Sequence, residues 1–145
     1  MRMYTVLGKS ETPSEMLWDF ARNVTDPIIL EHVAAHSQTP PNALDHLARH
    51  ESLDVRLAVA DNPRTPAGAL RLLSEDENAD VRYALAENHN CPMEILYELA
   101  TDSNPYVSAR ALKTVNRISG GQVIEMPELR ENSNTFFERL AKGQM

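Results

Sequence analysis

The sequence predicts an all-α fold, a stack of about four 26-residue helical hairpins, from three observations. Apolar positions recur at a fixed interval: Ile29, Val55, Val81 and Val107; Ala34, Ala60 and Ala86; Leu44, Leu70 and Leu96; Leu47, Leu73 and Leu99. In register with them stand Asp26, Ser52, Asn78 and Asn104, all residue types whose side-chain oxygen can cap a helix N-terminus. Thirteen residues further on, Thr39-Pro40, Thr65-Pro66 and Cys91-Pro92 supply a second start signal per unit. A repeat of this length is one supersecondary module, too small to offset its ordering entropy alone, so each module must complete its neighbour's core.

Taken in chain order, the first start signal is Thr12-Pro13-Ser14-Glu15, which reads as a capping box and lies 27 rather than 26 residues before Thr39. It predicts a helix over 13–23. The Asp26-Pro27 pair opens 27–36, and the Thr39 signal opens 40–49. The next unit yields 53–61 and 66–75, the third 79–87 and 92–101, and Asn104-Pro105 opens 105–116. The first helix of each unit carries an i, i+3, i+4 stripe, Val55, Ala58, Val59 and then Val81, Ala84, Leu85. The second carries Ala69, Leu70, Leu73 and then Ile95, Leu96, Leu99. Alanines at 58, 60, 84 and 86 permit close helix approach. The segments after Pro40, Pro66 and Pro92 are short enough that 3₁₀ turns stand as an alternative to α-helix. Ser119-Gly120-Gly121 ends the series. The expected division is an N-terminal extension over 1–11, a repeat domain over 12–119, and a linker with an amphipathic tail helix over 120–145.

Composition narrows the function classes. The chain has 145 residues, 42% hydrophobic and 24% charged, which fits one soluble globular domain. No apolar run reaches a membrane span or a secretory signal, so no membrane partner and a cytoplasmic location are expected. One cysteine excludes a disulfide scaffold, a zinc finger or an iron–sulfur centre. A net charge of −7 argues against a sequence-independent grip on nucleic acid.

The segments Asp54-Val55-Arg56-Leu57-Ala58-Val59-Ala60-Asp61-Asn62-Pro63-Arg64-Thr65-Pro66 and Asp80-Val81-Arg82-Tyr83-Ala84-Leu85-Ala86-Glu87-Asn88-His89-Asn90-Cys91-Pro92 resemble the variant leucine-rich repeat family. They are also similar to the broader HEAT-like and armadillo-like helical repeats, in which an Asp-Val-Arg segment is common. The resemblance covers about residues 12–116 and is strongest in the two middle units. It implies a right-handed α-solenoid, in which α-helices alternate with 3₁₀ helices, and binding rather than catalysis. The iron–sulfur cluster of the family's best-known member is not carried over, because no residue here matches its N-terminal cysteines; no cofactor is expected.

Several side chains are candidates for function. Arg56 and Arg82 share a column, with Asp54 and Asp80 two residues earlier and Asp61 and Glu87 five later. They read as an inter-repeat ladder of ion pairs, with a grip on an acidic peptide as the alternative. Asn62 and Asn88 sit where the first helices end and read as C-capping or inter-unit bonds. His32 and His36, and His46 and His50, form two i, i+4 pairs in one unit. With Glu31 or Glu51 they define the alternative of a metal-dependent enzyme, although the expectation is a histidine-rich flank with no metal. Cys91 at a helix N-terminus is a candidate reactive thiol, weighed against simple replacement of its column's threonine. Residues 51–101 hold ten acidic and four basic side chains, a solvated face or a surface for a basic partner. Phe136, Phe137 and Leu140 give the tail an apolar face that either caps the last unit or engages another chain, including a second copy of this one.

No phosphate loop and no nucleophile–base pair recurs, so the expectation is a non-catalytic adaptor for a protein or peptide. Arg56, Arg82, Asn62, Asn88, His36 and the tail apolar residues are its candidate contacts. HEAT-like nucleic-acid binding is the third reading.

Overall fold

The computed structural model describes residues 13–121, which form eight helices and no strand. These are α1 (Ser14–Asn23), α2 (Pro27–Ala35), α3 (Pro41–Leu47), α4 (Leu53–Asp61), α5 (Ala67–Ser74), α6 (Ala79–Glu87), α7 (Met93–Leu99) and α8 (Pro105–Ile118). Every extensive helix contact joins elements one or two apart along the chain. Helices α2, α4, α6 and α8 therefore make one layer and α1, α3, α5 and α7 the other, the packing of a helical repeat. Thr12 of the capping box, the 1–11 extension and the tail from 122 onward lie outside the described residues.

The start signals act in two different ways. Asp26 Oδ1 accepts the Ile28 N–H, Asn78 Oδ1 the Asp80 N–H, and Asn104 Oδ1 those of Tyr106 and Val107, as N-caps do. Ser52 makes no such bond. The threonines before proline are not caps either. Pro40 and Pro66 occupy the N-cap positions, and the Thr39 and Thr65 hydroxyls turn back to donate to Val33 O and Val59 O of the preceding helix. They tie the end of each first helix to the turn below it. Cys91 replaces them at the third position and is likewise buried.

The second helices of the units are α-helical rather than 3₁₀, each running seven or eight residues. The buried stripe explains this: Ala43 and Leu47, Ala69 and Leu73, and Ile95 and Leu99 are four residues apart, with Leu44, Leu70 and Leu96 beside them, a face that fits a 3.6-residue turn. In α1 the one-residue offset read from the sequence holds, because Leu17 and Ala21 are the buried pair, 27 residues before Leu44 and Ala48. Val55, Val59 and Ala60 of α4, with Val81, Leu85 and Ala86 of α6, are fully buried. At the far end α8 closes with Gly120 at φ 74°, the Gly121 N–H bonded to Asn116 O and the Gly120 N–H to Arg117 O. That is a Schellman stop, and it requires glycine at 120.

Two ladders of polar bonds cross between units. In the first, one column, just beyond α4 and α6 and within the longer α8, reaches back to carbonyls at the end of the previous first helix. Asn62 Nδ2 donates to Ala34 O (2.7 Å) and His36 O (3.1 Å), Asn88 Nδ2 to Ala60 O (2.9 Å), and the Thr114 hydroxyl to Ala86 O. In the second, Arg56 pairs with Asp76 and Arg82 with Asp102, each at 2.8 Å, while the same guanidiniums donate to His50 O and Asp76 O. The sequence places the arginines in a ladder but with other acids. Their partners lie 20 residues ahead, in the turn after the next second helix, rather than at Asp54, Asp61, Asp80 or Glu87. A guanidinium needs a carboxylate in its own plane, and the nearby acids on α4 and α6 point to the opposite helix face.

Asn62 is 3% exposed and serves two carbonyls and one amide, so Asn62→Ala is expected to cost about 2–3 kcal/mol in urea unfolding. Asn62→Thr, borrowing the residue found at 114, should lose about half of that.

Candidate functional site

Beside the buried positions 55 and 59 of α4, positions 54, 57, 58 and 61 form the adjoining stripe; Ala58, expected in the buried stripe, is half-buried at its edge. Against α2 this stripe lines an open cleft of about 310 Å³, between Glu31 and Ala35 on one wall and Asp54, Leu57, Ala58 and Asp61 on the other, with Asn62 and Pro63 at its end. Leu57 and Ala58 are half-buried, an apolar floor, while Glu31, Asp54 and Asp61 are exposed. The 26-residue period carries the pattern on to α6, where Asp80, Tyr83, Ala84 and Glu87 repeat the stripe of Asp54, Leu57, Ala58 and Asp61. Tyr83 is exposed.

The charge on this face is uncompensated near the cleft. Among the described residues, ion pairs take up Asp19, Asp45, Asp76, Glu87, Glu98 and Asp102, but not Glu31, Asp54 or Asp61. Partial burial pushes the Asp61 carboxyl above its usual range, and the charge of Glu87 pushes it further. Glu87 is drawn on by Arg110 of α8 at 3.4 Å. The face is thus acidic over α2, α4 and α6 and turns basic at α8, where Lys113 takes the column of Asp61 and Glu87.

The residues singled out from the sequence divide sharply. Arg56 and Arg82 are held in the ion-pair ladder, and the bond to Asp102 raises the pKa of Arg82, keeping it charged. Asn62 and Asn88 are held in the carbonyl ladder. His36 is buried, with Nδ1 accepting the Gln38 N–H. The four histidines of the first unit do not converge: His32 Nδ1–H donates to Ile28 O, His46 packs edge-on to Trp18 at 5.9 Å, and His50 Nδ1 accepts the Ser52 N–H. Among the described residues no group of three or more His, Cys, Asp or Glu side chains is placed to hold a metal ion. Cys91 is 4% exposed and burial pushes its thiol up to about 12, so the reading of a thiolate activated by a helix terminus is overturned. Phe136, Phe137 and Leu140, and with them the tail as a route to a homo-oligomer, lie outside the described residues.

Glu31, Asp54, Leu57 and Asp61 were not grouped from the sequence. Their signal was present in the acidic columns Asp54/Asp80 and Asp61/Glu87 flanking the apolar column Leu57/Tyr83, but these acids were assigned to the arginines.

The leucine rich repeat variant family model matches residues 53–78, the unit made by α4 and α5 up to the cap of α6. No curated protein and no solved structure matches the chain. No described helix is long and apolar enough to cross a membrane.

Two measurements check this electrostatic description. Because the folded Asp61 carboxyl is raised, its ionised form works against folding above the raised value, and the penalty fades as the pH falls through it toward 3.8. Asp61→Asn is therefore expected to raise stability at neutral pH by at most about 0.5 kcal/mol, the group being solvent-screened, and to leave it unchanged near pH 4. The native thiol of Cys91 should resist a thiol-reactive probe at neutral pH and label at the rate of unfolding.

Proposed function

Taking residues 53–78 as a leucine rich repeat variant unit, we propose that the chain is a non-catalytic scaffold, a right-handed solenoid of about four such units. It docks a protein partner along the outer face of α2, α4 and α6. The cleft between α2 and α4 carries this reading: an apolar floor rimmed by three carboxylates without an ion-pair partner among the described residues. Such a surface fits a segment that presents lysine or arginine on either side of an aliphatic or aromatic anchor. The anchor lies on Leu57 and Ala58, and the cations answer Glu31, Asp54 and Asp61.

The assignment of Arg56, Arg82, Asn62 and Asn88 to recognition gives way here to a structural one, since their polar groups are already bonded between units. A second consideration is charge. Binding a cationic segment relieves the crowding of Asp61 by Glu87, whereas an acidic segment adds to it.

A photo-reactive residue at position 57 is expected to cross-link a fluorescent peptide of alternating lysine and leucine, and one at Leu72, exposed on α5, to leave it free. Asp54→Asn with Asp61→Asn should weaken that peptide by about five- to tenfold at low ionic strength and by less in about 0.5 M salt. Cross-linking from 72 and not from 57 would move the docking surface to the other layer.

A further inference from the structure

From α2 onward two kinds of turn alternate between the helices, and each closes by the same device, a side-chain acceptor that takes the backbone N–H two residues on. After α4 and α6 the acceptors are Asn62 Oδ1 for Arg64 and Asn88 Oδ1 for Asn90, both at 2.9 Å. After α5 and α7 they are Asp76 Oδ1 for Asn78 (2.9 Å) and Asp102 Oδ1 for Asn104 (2.8 Å). In the first unit both acceptors are imidazoles. His36 Nδ1 takes the Gln38 N–H after α2, and His50 Nδ1 takes the Ser52 N–H after α3, each at 3.0 Å.

A backbone amide can only donate. Each contact therefore needs a lone pair on Nδ1, which an imidazole protonated on Nε2 alone offers and an imidazolium does not. Asparagine does not titrate, and an aspartate keeps an acceptor oxygen down to strongly acid pH. Histidine is the side chain that changes charge between about pH 5 and 8.

We propose that the α1–α3 end of the stack is an acid-sensitive unit, in which protonation of His36 and His50 opens both turns while α4–α8 stay closed. A proton on either Nδ1 sets a donor against a donor, so each turn loses its bond and gains a repulsion. The two turns are coupled through α3, which runs between them. His36 lies in the column of Asn62, Asn88 and Thr114, and its carbonyl is bonded by Asn62, so loosening it also loosens the first rung of the carbonyl ladder.

Among the described residues, charged groups stand around both turns. From the end of α4, Arg64 and Asp61 face the turn of His36, with Arg64 donating to Ser37 O at 3.4 Å. From α1, Glu15 adjoins Ser14, whose hydroxyl donates to Gln38 O. At His50, Arg56 of α4 donates to the carbonyl at 3.0 Å and carries Asp76 with it, while Glu51 is the chain neighbour and Asp45 pairs with Arg49 on α3. Because α2 forms one wall of the acidic cleft, opening its turn would release whatever docks there. That consequence rests on the docking reading; the switch itself rests on the turns alone.

The test is hydrogen exchange on the full chain without any partner, at about pH 7.5 and 5.5, corrected for intrinsic exchange, so that its outcome is separate from that of docking. Protection in α1–α3 is expected to fall by about tenfold or more at the lower pH, and that in α4–α8 to change by less than about twofold. The variant His36→Asn with His50→Asp takes its residues from the equivalent positions of the later units and should abolish the difference. The wild-type amide shifts of Gln38 and Ser52 give a readout that needs no variant, and both should move between about pH 7.5 and 5.5. Flat shifts, equal loss across all helices, or a pH response that survives the double substitution would each overturn the proposal.

Discussion

Helices of seven to ten residues cannot satisfy their own backbones. Four N–H groups and four carbonyls at the two ends of any α-helix lack intrahelical partners, so in α2, α4 and α6, nine residues each, about half of the peptide groups need a bond from elsewhere. Asp26, Asn78 and Asn104 deal with amino ends inside their own unit. The carboxyl ends are dealt with by the neighbour: Asn62, Asn88 and Thr114 each donate to a final carbonyl of the first helix 28 residues back. A neighbour that covered those carbonyls without supplying a donor would leave them buried and unbonded, at a cost of about 1–3 kcal/mol apiece, so these donors are a condition of stacking on the shared leucine core.

That constraint also shapes the surface. Crossing between units consumes the asparagines and the two central arginines, together with the acids at 76 and 102. What is left on the outer face is acid without an ion-pair partner among the described residues at Glu31, Asp54 and Asp61, around a floor of leucine and alanine, while Glu87 of α6 keeps Arg110. Net charge is −7 for the whole chain, but its placement matters more than its total. The ladder takes in two cations and two anions, so it leaves the net charge unchanged and decides only which carboxylates stay on the outer face.

The same accounting explains the histidines. A divergent unit at the end of a stack has to fill the acceptor positions of its turns with something, and an imidazole nitrogen accepts a hydrogen bond as an asparagine or aspartate oxygen does. The places of His36 and His50 follow from the column each occupies, His36 with Asn62 and His50 with Asp76.

Period, helix order and most helix bounds were legible in the linear chain, because each depends on local chemistry: cap-forming side chains before a turn of helix, proline at a helix start, leucine at helical spacing. Even the one-residue offset of α1 could be read from Thr12 and Thr39. The choice of α over 3₁₀ for the short second helices, the back-bonding of Thr39 and Thr65, and the silence of Ser52 as a cap could not, since those alternatives differ little in local energy and packing selects among them. The arginine ladder was foreseen and its acids misassigned, for sequence proximity places Asp54 and Asp61 near Arg56 while helix geometry turns them to the far side. Which carboxylates line the cleft unpaired is decided only where the arginines meet their partners in three dimensions.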